Sequence, residues 1–258
     1  MADAFYTREG DGYRASELTR GPWDADAQHA GPPGALLARE IEGLEPREGR
    51  QVARITVEIL RPIPLARLEA RARVVRPGRS VELIEGTLGD GEQELMRARA
   101  WRIRTEPLEL PEGLPQGQPP PGPDHGQPGE FPVSGSEGYW TAMDYRFVKG
   151  GFDEVGPALG WLRMRVPLVE GEEPSPLVRV MAAADSGNGV SAILDWKEWL
   201  FINTDLSVHL HRLPEGEWVC LDAVTIPEPN GIGMADTKLW DERGPIGRAV
   251  QSLLVGRR

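Results

Sequence analysis

Between Leu206 and His211 the chain alternates strictly: Leu206, Val208 and Leu210 point one way, Ser207, His209 and His211 the other. A period of two residues predicts a half-buried strand, here over Phe201–Arg212. Its mouth holds Asn203, Thr204 and Asp205 in succession, so that an amide, a hydroxyl and a carboxylate open either a turn or a site. Further strands are predicted over Gln51–Leu60, Leu68–Val75, Ser80–Leu88 and Glu94–Arg104, with Gly89-Asp-Gly91 turning a hairpin. Residues 1 to 30 carry no such pattern. After them Gly31-Pro-Pro-Gly34 opens a helix that is apolar nearly all round through Ala35, Leu36, Leu37, Ala38 and Ile41. Gly31 and Gly34 there permit close approach of another backbone.

From Glu106 to Gly138 the pattern lapses into prolines, glycines and acids, which predicts an extended connector unable to pair in a sheet. His125 within it reads as solvated. The second half then resembles the first. Tyr139–Lys149 and Trp161–Pro167 are strand-like, and Pro174–Asp185 is a second proline-opened apolar helix. Four strands follow, over Phe201–Arg212, Trp218–Ile226, Ile232–Trp240 and Ile246–Val255. A shift of 151 residues, from Thr56 to Ser207, superposes the two strand series without a gap. It also maps Gly34 onto Asp185 and Ala100 onto Gln251. Each half is thus expected to be one long helix against a curved antiparallel sheet. The fold class is α+β, with segments 1–105, 106–138 and 139–258 as first repeat, connector and second repeat.

Composition narrows the function. With 258 residues the chain can bury a large core, and a net charge of −11 speaks against nucleic acid as a partner. No apolar run is long enough to span a membrane, and no leader is visible, so a cytoplasmic setting is expected. The single cysteine, Cys220, excludes an internal disulfide and reads as a small buried hydrophobe. Arginines crowd the first half. They read as a solvated strand face or, through Arg61 and Arg79, as a cradle for the phosphates of a small ligand.

Several polar residues sit where a strand or helix should be apolar. Asp185 follows three alanines and precedes Ser186-Gly-Asn-Gly189; it is either a helix-terminal aspartate or a carboxylate able to orient a water and take its proton. Gln251 interrupts an apolar last strand, facing outward or holding that same water. His209 and His211 make at most half a metal site, so no metal and no cofactor are expected. No Gly-x-Ser-x-Gly elbow and no Gly-rich phosphate loop are present.

Four stretches carry a family resemblance: Ala182–Asp185 at a helix end, Asn203–Arg212 on a strand, Leu239–Gly244 as a hairpin and Ala249–Gln251 on the last strand. Together they resemble the acyl-CoA thioesterase II-like family of double hot-dog proteins, over about Gly21 to Val255. The resemblance implies hydrolysis of acyl-CoA by a water held by Asp185, Gln251 and Asn203. Asn203 stands where the family has a hydroxyl, and Thr204 is the alternative. It implies backbone N–H groups between His29 and Gly34, or at the second helix, facing the oxyanion, with Arg61 and Arg79 on the CoA phosphates. It further implies a homodimer or higher oligomer and a place in fatty acid metabolism. A non-catalytic acyl-CoA binder on the same fold, and a metal enzyme through His209 and His211, are the rival expectations.

Overall fold

The computed structural model describes residues 3–44, 49–114, 117–132 and 137–258. Two short strands missed by the sequence reading open the chain, β1 (Tyr6–Glu9) and β2 (Gly12–Ala15), followed by α1 (Gly31–Gly43). Then come β3 (Arg50–Ile59), β4 (Arg67–Arg76), β5 (Val81–Gly89) and β6 (Glu94–Arg104). The second part has β7 (Gln127–Pro128), β8 (Met143–Gly151), β9 (Glu154–Met164), α2 (Pro176–Ala184) and α3 (Gly187–Val190). It ends with β10 (Trp199–Asn203), β11 (Asp205–Leu210), β12 (Val219–Pro227), β13 (Ile232–Asp241) and β14 (Gly244–Arg257).

The strands form one antiparallel sheet in the order β1-β2-β4-β5-β6-β3-β11-β14-β13-β12-β9-β8-β7, with β10 extending the β11 position along β14. β3 and β11 meet in the middle, where Thr56 pairs with Ser207. On either side the order is mirrored: β6, β5 and β4 flank β3 as β14, β13 and β12 flank β11. The strand series related by the 151-residue shift therefore face each other across one seam.

α1 and α2 pack on the inner face. In α1, Ala35, Leu36, Leu37, Ala38 and Ile41 are all fully buried, as an all-round apolar helix must be. In α2, Leu177, Val180, Met181 and Ala182 are equally buried. The helices run antiparallel: the start of α1 lies at the end of α2, and Ser175 at the start of α2 bonds Glu42 near the end of α1. A Cβ on Gly31 would lie 2.6 Å from the Ala182 carbonyl oxygen, so only glycine allows this crossing. Gly34 has no such need; its nearest neighbour would be Met181 Cε at 3.8 Å, an ordinary contact.

Four expectations are corrected. Among the described residues the second half has no long helix, because Ser186 turns back on Ala183 and the glycines that follow admit only the four-residue α3. The shift of 151 residues holds for the strands but not the helices: α2 ends at Asp185, whereas Gly34 lies in the first turn of α1. The connector does pair, since Gln127 and Pro128 form an edge strand on β8, a place where proline needs no N–H. The connector is also tied down by the Trp161 indole N–H, which donates to the Pro121 carbonyl at 2.8 Å.

Last, the strand read over Phe201–Arg212 is broken. Asn203 pairs with Leu253 but Ser207 with Val250, a slip of one residue at Thr204. This bulge reverses the alternation. Before it the odd positions Phe201 and Asn203 face inward; after it the even positions Leu206, Val208 and Leu210 do.

Candidate active site

Asp185 caps α2 at its C-terminus, 3 % exposed, where the helix breaks. The bulge turns Asn203 inward, and its Nδ2 donates to Asp185 Oδ1 at 2.7 Å. Gln251 lies on the inner face of β14, 1 % exposed, and its Nε2 donates to the Asp185 carbonyl at 3.1 Å and to Oδ1 at 3.3 Å. Its Oε1 accepts from the Asn188 N–H at 3.2 Å. The three residues singled out in the sequence thus converge, but on one another. Both amides fix the carboxylate through one oxygen and leave Oδ2 free of them.

Oδ2 faces His29, whose Nδ1 lies 3.1 Å away. His29 enters just ahead of α1, from the first half, because Gly31 lets that helix approach Ala182. Its ring stacks on Tyr139 with centroids 3.8 Å apart and planes 6° off parallel. Tyr139 is fixed in turn: its hydroxyl donates to the Ala182 carbonyl at 2.7 Å and lies 2.9 Å from Ser186 Oγ. Burial pulls the His29 pKa below the ordinary 6.5, and the Asp185 carboxylate opposes that only in part. The imidazole is therefore neutral at pH 7. Burial pushes the Tyr139 phenol well up, so it stays a hydrogen-bond donor.

Of the pair, His29 is the more accessible, with its side chain 14 % exposed against 4 % for Asp185. His29, Tyr139, Ser186 and Asn188 line a cleft of about 30 Å³ walled by aromatic rings, room for a water molecule but not for a long chain.

The remaining expected site residues lie elsewhere. Thr204 is exposed on the bulge, its Oγ1 3.3 Å from Asp205 Oδ1. Asp205 is structural, accepting the Ser252 N–H at 3.1 Å. Of the backbone donors between His29 and Gly34, His29 N goes to Thr19 and Gly34 N to Ala30, Pro32 and Pro33 have none, and Gly31 N lies 3.1 Å from His29 Nδ1, an acceptor only while that nitrogen carries no proton. Ala30 N lacks an acceptor among the described residues, and Gly31 N loses its own when Nδ1 is protonated, so the expected set of oxyanion donors there reduces to these two.

Arg61 and Arg79 do not share a cradle. Arg61 follows β3 at the end nearest the site, and Arg79 lies beside Arg50 at its other end, roughly 30 Å away at about 3.3 Å per residue. Many of the other first-half arginines are paired to acids on the outer face, as Arg73 and Arg99 are to Glu85. His209 and His211 are exposed, and among the described residues no three His, Cys, Asp or Glu side chains gather to hold a metal. Cys220 is buried, and burial pushes its thiol up. No helix is long and apolar enough to cross a membrane among the described residues.

Sequence reasoning missed the partnership of His29 with Asp185, and with it Tyr139, Ser186 and Asn188. Ser186 and Asn188 lie one and three residues after Asp185 in the chain and could have been included; nothing in the sequence marks Tyr139.

Residues 19–103 match the model of the acyl-CoA thioesterase N-terminal domain, and residues 111–255 that of the acyl-CoA thioesterase C-terminal domain. The chain belongs to the acyl-CoA thioesterase family. Solved structures agree at the level of fold. A protein from Thermobifida fusca provisionally assigned as a thioesterase II is 20 % identical, with 99 % of this chain and 96 % of that one covered at a TM-score of 0.76. A hot-dog protein of unknown function from Alicyclobacillus acidocaldarius is 18 % identical, with 99 % and 97 % covered at a TM-score of 0.72. An acyl-CoA thioesterase II from Mycobacterium marinum is 15 % identical, with 97 % and 93 % covered at a TM-score of 0.61. No functionally curated protein matches the sequence.

Proposed function

We propose that the protein hydrolyses acyl-CoA thioesters to free acid and CoA, and that the Asp185–His29 pair activates the water. The observation that carries this is the 3.1 Å approach of His29 Nδ1 to a buried carboxylate already fixed by two amides. In the tautomer with its proton on Nδ1, directed at Asp185 Oδ2, His29 gives up the acceptor contact with the Gly31 N–H, and Nε2 is free to accept. A neutral imidazole then takes a proton from water as the oxygen attacks the thioester carbonyl. The tetrahedral oxyanion collapses and expels the CoA thiolate. A thiol of pKa about 8.5 is a good leaving group, and the proton on His29 returns to it. The Ala30 and Gly31 N–H groups are the helix-entry donors left for the oxyanion.

The wider architecture supports two tandem hot-dog repeats, 1–105 and 139–258, joined by the 106–138 connector. Asp185, Asn203 and Gln251 come from the second repeat and His29 from the first. That gives one site per chain. Arg61, exposed near the site, is the better candidate for a CoA phosphate; Arg79 is too distant. Outward-facing Ile226, Ile232, Met234 and Leu254 on the second-half sheet suit a homodimer. The chain is placed in the cytoplasm, where Cys220 stays reduced.

The test is thiol release from acyl-CoAs by wild type, Asp185→Ala and His29→Gln. Turnover that disappears in both variants supports hydrolysis by this pair. Tight acyl-CoA binding without turnover in the wild type replaces it with a non-catalytic binder.

A further inference from the structure

The cleft beside His29 is unusual in its walls. Trp23, Phe131, Tyr139, Trp140, Phe152 and Trp196 supply rings from well-separated stretches of chain, and Val190 and Pro22 are the only aliphatic side chains among its described lining residues. The rings already satisfy one another's geometry. Trp23 stacks on Trp196 at 4.7 Å, and Phe131 meets Phe152 edge-on at 4.8 Å and Trp196 edge-on at 5.5 Å. His29 is the only ionisable group on the wall besides the tyrosine hydroxyls, and burial favours its neutral form.

We propose that this cleft is the acyl subsite and that it selects a compact aromatic acyl group over a flexible alkyl chain. The proposal rests on the thioesterase reading and adds the substrate class to it. An alkyl chain gains from burial against any apolar wall. A ring gains that and, in addition, the edge-to-face and offset-stacked contacts that these rings make with each other. A flat acyl group entering between them keeps the pattern, whereas a saturated chain interrupts it.

The enclosure argues the same way. At about 30 Å³ the cleft must open for any acyl group. Trp23 and Phe131 are half-buried and stand on segments outside the named strands and helices, so they can part with least cost to the sheet. Trp196 supplies a second, independent observation. Its indole N–H is buried and has no acceptor among the described residues. A buried donor of this kind calls for a partner, and a water carried in with the acyl group or a polar substituent on its ring is one.

The experiment compares kcat/KM of the full-length protein for phenylacetyl-CoA, benzoyl-CoA, cyclohexanecarbonyl-CoA and octanoyl-CoA. The expected result is a preference of about tenfold or more for an aromatic thioester over both saturated ones. Replacing Phe131 by Leu and, separately, Trp196 by Leu should reduce that preference ratio toward one, with folding checked by circular dichroism. Equal rates for the aromatic thioesters and cyclohexanecarbonyl-CoA, or preference for octanoyl-CoA, overturn the aromatic subsite and leave the thioesterase reading standing. No turnover of any thioester overturns the thioesterase reading and the subsite with it.

Discussion

Thr56 and Ser207, which a 151-residue shift makes equivalent, lie directly opposite each other on β3 and β11, with their hydroxyl oxygens 3.1 Å apart. In an antiparallel pair, only one pair of repeat equivalents can face each other, and it marks the axis relating the halves. The seam between the two strand series thus runs through a single hydroxyl contact flanked by Val57–Leu206 and Ile55–Val208.

That contact can be measured. Thr56→Val alone leaves the Ser207 hydroxyl without its partner and should cost about 1 kcal/mol of unfolding free energy. The double change Thr56→Val with Ser207→Ala should cost less than the sum of the two. A double-mutant cycle in urea reads the coupling, and strict additivity would show that the hydroxyls do not interact.

The environment of His29 fixes the direction of the pH dependence. Its folded pKa lies below 6.5 because burial disfavours the charged ring. Hydrolysis should therefore be flat through neutrality and fall only on the acid side, with a midpoint below 6.5 that His29→Gln abolishes. Stability follows the same sign. A depressed folded pKa stabilises fully above the unfolded value of 6.5 and loses that contribution as pH falls through the folded value. Thermal scans of wild type and His29→Gln should diverge below pH 6.5, with the wild type losing more. Parallel curves would refute the buried neutral imidazole.

Asn203 and Gln251 hold the same carboxylate oxygen, so their loss should act through Asp185. Each donates a charge-assisted bond worth about 1.5–3 kcal/mol, and Asn203→Ala or Gln251→Ala should lower kcat by roughly 10- to 100-fold. Asp185→Asn should be more severe, because it places an amide N–H₂ or a neutral carbonyl where two N–H groups and an imidazole expect an anion. Thr204→Val, on the exposed side of the bulge, should leave kcat within about twofold of wild type, as surface changes usually do.

Asp241 closes the β13–β14 hairpin and is fully buried, bound by both Arg212 Nη atoms and accepting backbone N–H bonds from Glu215, Arg243 and Gly244. Burial alone would raise its pKa, but these donors, Arg212 foremost, hold it below 3.8. The stabilisation is present above 3.8 and is lost as pH falls through the folded value. Asp241→Asn should lower stability by about 3 kcal/mol at pH 7, or roughly 6–12 °C in Tm, and the gap should narrow in acid. A gap that is constant with pH would exclude the carboxylate as its cause.

Much of this architecture was legible beforehand because it depends on periodicity. The alternation of β3 to β6 and of β12 to β14, the all-round apolar face of α1 and the Asp90 turn are local consequences of side-chain period and turn chemistry. β1 and β2 were not legible: with four residues each, Tyr6–Glu9 and Gly12–Ala15 are too short to show a period, although Tyr6, Tyr13 and Ala15 are buried. The paired prolines of the connector likewise concealed β7, since proline signals a break unless its missing N–H happens to face away from the sheet.

By itself the sequence determined most of the long strands and singled out the three polar residues Asp185, Asn203 and Gln251, because each follows or departs from a local pattern that can be counted along the chain. Tertiary structure alone decided where those residues point and what they touch. The bulge at Thr204 turns Asn203 inward against the alternation that follows it, and the crossing at Gly31 delivers His29 and its neutral imidazole to a carboxylate more than 150 residues away. Side-chain direction after a bulge and the pairing of charges across helices depend on how distant segments pack, and no period in the chain encodes that.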